Sequence, residues 1–113
     1  MYFEWDEDKN RPNLLKHDVR FETAALVFDD PHALTQRDQL TDDEERWITL
    51  GTVDTGAVLL VVVYTWREKD GEEVVRIISA RGAESRERRN YEEAYQGAKA
   101  RYRRHRGKKG RRH

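Results

Sequence analysis

The sequence predicts an α+β domain in which a short strand and two helices precede an antiparallel meander, the early helices covering one face of one sheet and a last helix flanking it. Three observations carry that prediction. The run Leu59-Leu60-Val61-Val62-Val63 is apolar enough for a strand buried on both faces, and the segment around Val75, Ile77 and Ile78 alternates as a next strand would. Apolar residues at helical spacing stand on either side of this strand region. A chain of 113 residues has room for one such sheet, because a domain of this size buries only about two-thirds of its unfolded surface.

Tyr2 to Trp5 alternates weakly and reads as a short opening strand. Asp6 is a suitable N-cap for a helix running toward Leu14-Leu15-Lys16-His17. Pro12 falls inside that helix. Beyond the first turn a proline removes a backbone bond and clashes with the preceding turn, so a kink, or a start near Asn10, is expected. Phe21, Ala24, Ala25 and Phe28 share a face of a second short helix that ends before Asp29-Asp30-Pro31. Strands are then expected at Ala33 to Arg37, Arg46 to Val53, Ala57 to Trp66 and Glu73 to Ala80, with Gly56 and Gly71 in the connecting hairpins. The third of these is apolar on both faces and takes the centre of the sheet. A last helix, flanking the sheet, runs from about Ser85 through Tyr91, Ala94, Tyr95, Ala98 and Tyr102. Past Tyr102 nothing apolar remains to be buried. A folded domain over residues 1–102 and a disordered basic tail over 103–113 are expected.

No stretch approaches the ~20 apolar residues that span a bilayer, and Met1-Tyr2-Phe3-Glu4-Trp5-Asp6 lacks the regions of a signal peptide, so a cytoplasmic protein with no membrane contact is expected. The absence of cysteine excludes disulfides and cysteine-ligated metals. The His residues are scattered without ligand spacing, and nothing asks for a metal or other cofactor. A net charge of zero conceals an asymmetry: up to Val75 there are eight Lys/Arg against eighteen Asp/Glu, and from Arg76 onward fourteen against four. The basic end suits RNA or an acidic partner and the acidic remainder suits a basic one.

Trp5-Asp6, Lys9, Asn13, Lys16-His17, Phe21, Ala24-Ala25, Phe28, Asp30, Glu45-Arg46-Trp47, Gly51 and Leu60-Val61-Val62-Val63-Tyr64 together carry a resemblance. Its most specific element is Arg76-Ile77-Ile78-Ser79-Ala80-Arg81, followed by Glu87-Arg88 and Tyr91. From about Phe3 to Glu93 the chain resembles the BrnT family of toxins. The resemblance implies a fold related to the RelE-type ribonucleases, with the early strand and two helices preceding a β-meander and a C-terminal helix. It also implies a metal-independent endoribonuclease that inhibits translation, acting on RNA free or at the ribosome. Its partner would be a BrnA-like ribbon-helix-helix antitoxin, and the complex would reach operator DNA only through that antitoxin. The chain departs from the family pattern at Asp18, where Gly is usual, at Gly82 and near Ser85, where a basic residue is common, and at Glu84, where a capping threonine stands. Asp18 must then take a left-handed turn, and Ser85 is expected to replace the cap.

Metal-free RNA cleavage needs the 2′-hydroxyl deprotonated, the phosphorane's charge stabilised and the leaving oxygen protonated. Arginine holds phosphate oxygens in a fork but moves protons poorly, which assigns Arg76, Arg81 and Arg46 to charge stabilisation. Glu45 and His17 are the candidates for proton transfer, and Lys16 could assist either task. Arg86, Arg88 and Arg89 open the last helix, where cations oppose the dipole; pairing with Glu84, Glu92 and Glu93 or a use in RNA binding would offset that cost. One geometric difficulty is built in. Arg76 and Arg81 are five residues apart and face opposite sides of an unbroken strand, so they converge only if the strand ends or bulges near Ala80. Trp47 and Trp66 suit sheet packing, with base stacking as the alternative. Two other readings compete: a catalytically weak module that docks the antitoxin and tunes operon autorepression, and an RNA-binding accessory domain acting through the basic tail.

Overall fold

The computed structural model describes residues 1–39, 45–54 and 58–110, with side chains through Gly97. The turn expected at Gly56, the strand start at Ala57 and the side chains of Ala98 and Tyr102 fall outside the described residues. Two compact units divide the chain, Met1–Ala83 and the segment from Glu84 onward.

The first unit holds a five-stranded sheet of β1 (Tyr2–Glu4), β2 (Leu34–Arg37), β3 (Trp47–Val53), β4 (Val58–Lys69) and β5 (Glu72–Gly82), in the order β1-β5-β4-β3-β2. β4 takes the centre, as its apolar run predicts. The meander from β2 to β5 is antiparallel, whereas β1 joins the far edge parallel to β5, with Phe3 opposite Val75 and Glu4 opposite Arg76. The sheet is therefore mixed, with the meander antiparallel as expected. β4 and β5 both run longer than their apolar pattern, out to the turn Asp70-Gly71. There φ is 52° at Asp70 and 80° at Gly71, the paired left-handed conformation of a two-residue type I′ hairpin whose twist matches that of the strands.

One face of the sheet carries the core. Helices α1 (Glu7–His17) and α2 (Phe21–Ala24) are followed by a 3-10 turn, Ala25–Asp29. Phe21, Ala24 and Val27 are fully buried in a cluster with Leu60, Val62, Tyr64, Val75, Ile77 and Ala80. Phe28 packs between Phe3, tilted against it at 5.3 Å between ring centroids, and Tyr64, edge-to-face at 4.9 Å. Gly51 lets this layer approach β3, since a Cβ there would stand 3.1 Å from the Val27 Cβ and carbonyl oxygen. Where β3 crosses the core, Thr35, Thr49 and Tyr64 link their hydroxyls in one chain, at 2.9 and 2.8 Å, so the polar groups buried there are satisfied.

α1 runs from Glu7 straight through Pro12 to His17, so it neither breaks nor begins near Asn10. Proline deprives only the Asp8 carbonyl of its partner, and Asp8 is exposed to water. Both helix ends are well held: Asp6 accepts the Asp8 N–H, and Asp18 adopts the left-handed conformation and donates its N–H to Leu14. The middle is held by two buried asparagines. Asn10 accepts from the Phe21 N–H and donates to Glu22, at 2.9 and 2.8 Å. Asn13 donates to the carbonyls of Val19 and Ala80, at 2.9 and 2.8 Å, and accepts from the Ala80 N–H at 3.2 Å. β1 ends opposite Arg76, so the edge of β5 beyond it lacks a neighbouring strand at Ala80; the Asn13 amide fills that role.

The second unit is α3, Ser85–Gly110. Ser85 is its first helical residue and not its cap. The Glu84 N–H is instead bonded by Glu87 Oε1 at 2.9 Å, half of a capping box that a carboxylate three residues into the helix can supply. Helical backbone continues past Tyr102 to Gly110.

Removing the Asn13 amide strands buried backbone groups. Asn13→Ala should lower unfolding free energy by about 2–4 kcal/mol in urea titrations. Leu15→Ala, at an 89% exposed position, should change it by less than about 0.5 kcal/mol.

Candidate functional site

The parity difficulty in β5 is resolved by a bulge. Val63 pairs with Ser79 and Tyr64 with Ile77, so Ile78 is an extra residue in β5. The bulge lies slightly ahead of Ala80 and shifts the alternation by one step. Val75, Ile77 and Ala80 point into the core, and Arg76, Ser79 and Arg81 share the opposite face. Counted along β4, the row of Arg81 (opposite Val61) and the row of Arg76 (opposite Thr65) are four steps apart, roughly 13 Å. The two arginines therefore serve one surface without meeting at one point.

Arg76 is engaged. Its Nη1 lies 3.6 Å from Glu4 Oε1, and the same oxygen accepts from Arg67 Nη1 at 2.6 Å. The Arg67 hydrogen bond, aided by the charges of Arg67 and Arg76, holds the Glu4 carboxyl below the usual glutamate range. Arg81 is half-buried and donates from Nη1 to the Gly82 carbonyl at 3.2 Å. Leu50, Leu59 and Val61, which alternate onto the same face, are buried as well.

Arg46 immediately precedes β3. Trp47 pairs with Tyr64, and the same register leads Arg46 toward the row of Thr65 and Arg76. It is half-buried, with its Nε shielded from solvent, and its carbonyl accepts from the Asp38 N–H at 2.8 Å. Glu45, one residue earlier, pairs instead with Arg37 at 3.4 Å, both side chains being exposed. The acidic run Asp42-Asp43-Glu44 beside it lies outside the described residues.

Lys16 and His17 form the last turn of α1, where positive charge suits the helix dipole. Lys16 is exposed and His17 half-buried. Asn13, one turn earlier, is bonded to the Ala80 backbone and so ties this helix to the edge of β5, whereas the Arg81 side chain takes the face opposite the core. In the second unit Arg86, Arg88 and Arg89 are exposed on the opening turns of α3. Among the described residues, no group of three or more His, Asp or Glu side chains could hold a metal ion, and no helix is long and apolar enough to cross a membrane.

Sequence reasoning passed over Glu4 and Arg67, whose roles depend on strand pairing between distant segments. It also missed the clamp made by Asn10 and Asn13. Two asparagines three apart within a helix were the available signal, because asparagine is a poor helix former unless its amide is used.

Known proteins speak to the same residues. A family model described as "Ribonuclease toxin, BrnT, of type II toxin-antitoxin system" matches residues 5–87 of the chain. No curated protein matches it.

A depressed folded-state pKa at Glu4 means that its ion pairs stabilise fully above the ordinary glutamate range and are lost as pH falls through the folded value. The Glu22 carboxyl, lowered chiefly by its Asn10 hydrogen bond, acts with the same sign. Carboxyl carbon shifts followed by NMR against pH should show Glu4 titrating below free glutamate. Arg67→Ala should move that titration upward while leaving Glu22 in place.

Proposed function

The chain belongs to the BrnT family of ribonuclease toxins of type II toxin-antitoxin systems, and on that premise we propose that it cleaves RNA without a metal ion on the sheet face carrying Arg76 and Arg81. The observation that supports this reading is the extra residue at Ile78, since it turns two arginines of opposite parity toward a common surface. Arg81 holds the scissile phosphate and neutralises the charge that develops on it. A guanidinium fork suits that task because its charge is permanent and its donors are fixed in geometry. Arg46 and Arg76, which share one row of the sheet four steps from Arg81, hold the strand farther along.

Proton transfer falls to the end of α1. The His17 imidazole has one nitrogen to accept a proton and another to donate one, and Lys16 stands beside it in the last turn. Both follow the turn that Asn13 ties to the residue before Arg81. Glu45 is the weaker candidate, because Arg37 engages its carboxylate. Arg86, Arg88, Arg89 and the basic residues past Tyr102 add a salt-dependent attraction for RNA.

The fold is of the RelE type in this reading, cleavage lowers translation, and a BrnA-like ribbon-helix-helix antitoxin neutralises the toxin and carries the complex to operator DNA. A second reading, a weakly catalytic module that docks antitoxin, is favoured by the engagement of Arg76 by Glu4 and by the uncharged residues at Gly82 and Ser85.

Expression alone should halt growth and degrade RNA, and co-expression of the antitoxin should restore both. Arg81→Ala should lower cleavage about 10²- to 10³-fold with little change in melting temperature. Arg81→Lys should recover only part, since it keeps the charge and loses the fork. Growth unimpaired at verified high expression, with intact RNA, supports the docking module instead.

A further inference from the structure

The Glu4 carboxylate gathers two arginines from different strands, Arg67 of β4 and Arg76 of β5, on the sheet face that also carries Arg81. Holding the sheet together does not explain this arrangement. The three strands are already joined by their backbone ladders, and the side chains of Glu4, Arg67 and Arg76 are 37%, 47% and 45% exposed. Ion pairs that open to water contribute little stability.

The arrangement does order the cations. Each guanidinium has five N–H donors, so one shared carboxylate oxygen leaves most of them for another acceptor. Two cations against one carboxylate leave the group with net positive charge. Tyr2, two residues before Glu4 on β1, lies on the same face, is 61% exposed and pairs with Val74, which in turn pairs with Arg67. An exposed aromatic ring beside ordered arginines is the combination that takes a base and its phosphate in single-stranded nucleic acid. Along β4 the Arg67 row lies six steps from the Arg81 row, roughly 20 Å, so the group is well separated from the bond that Arg81 would serve.

We propose that Arg67, together with Arg76, forms a phosphate-binding subsite for the RNA strand remote from the cleaved bond, and that Glu4 is the positioning residue that orients both guanidinium groups. The proposal rests on the reading of this face as the RNA face. It deepens that reading by adding a residue that secures the strand without acting on the reacting atoms.

The probe is a single-stranded 2′-O-methyl oligonucleotide, which lacks the attacking hydroxyl, with binding followed by fluorescence anisotropy between about 50 and about 200 mM salt. Arg67→Ala should weaken binding about three- to tenfold at low salt and reduce the salt slope by about 0.7, the loss of one phosphate contact on a single strand. In cleavage of an RNA substrate, KM should rise more than kcat falls, with an unchanged melting temperature. Arg67→Lys should keep the slope and only part of the affinity. In a Glu4→Gln background the effect of Arg67→Ala should shrink, because the guanidinium is no longer oriented; an equal effect in both backgrounds overturns the role given to Glu4.

Unchanged affinity and slope in Arg67→Ala, alongside loss of cleavage in Arg81→Ala, overturns the subsite and leaves the RNA reading standing. Unchanged RNA binding with weakened antitoxin binding also overturns it, by assigning the patch to the protein partner. Failure of the parental protein both to bind the oligonucleotide and to cleave RNA removes the RNA reading itself.

Discussion

The side-chain amide of Asn13 bonds both backbone groups of Ala80 and the carbonyl of Val19, and through that one residue the first helix, the turn after it and the last strand share a frame. A side chain stands here in the place of a strand. β1 is too short to cover β5 beyond Arg76, and a buried strand edge left bare would carry unsatisfied donors and acceptors. The amide meets this need because it offers a donor and an acceptor at the spacing of a peptide group. Asn10 does the corresponding work at the start of α2, leaving Phe21 free to enter the core.

What this frame fixes is the neighbourhood of Arg81. The Ile78 bulge and the Asn13 clamp act within two residues of one another on β5, the first choosing which face the arginine takes and the second setting which helix end lies beside it. A regular strand would have kept Ile77 in the core only by sending Arg81 toward it. The extra residue lets the apolar and the charged pattern both be satisfied, in line with the frequent presence of bulges near functional sites.

Charge is arranged at two levels. Along the chain, acidic residues outnumber basic ones up to Val75 and basic ones outnumber acidic ones from Arg76 onward. On the sheet, Glu4 draws together Arg67 from the acidic part and Arg76, the first residue of the basic part.

Composition and periodicity alone were sufficient to establish the α+β class, the central place of β4, the short helices over the core and the hairpin at Gly71, because each follows from interactions within a few residues; the left-handed turn at Asp18 was implied by the family resemblance. Family resemblance added the toxin class, which the match over residues 5–87 bears out. The parallel docking of β1, the passage of α1 through Pro12, the bulge at Ile78 and the meeting of Glu4 with Arg67 and Arg76 were decided only by tertiary structure. Each depends on residues distant in sequence competing for the same backbone groups or charges, and local pattern carries no record of which partner wins.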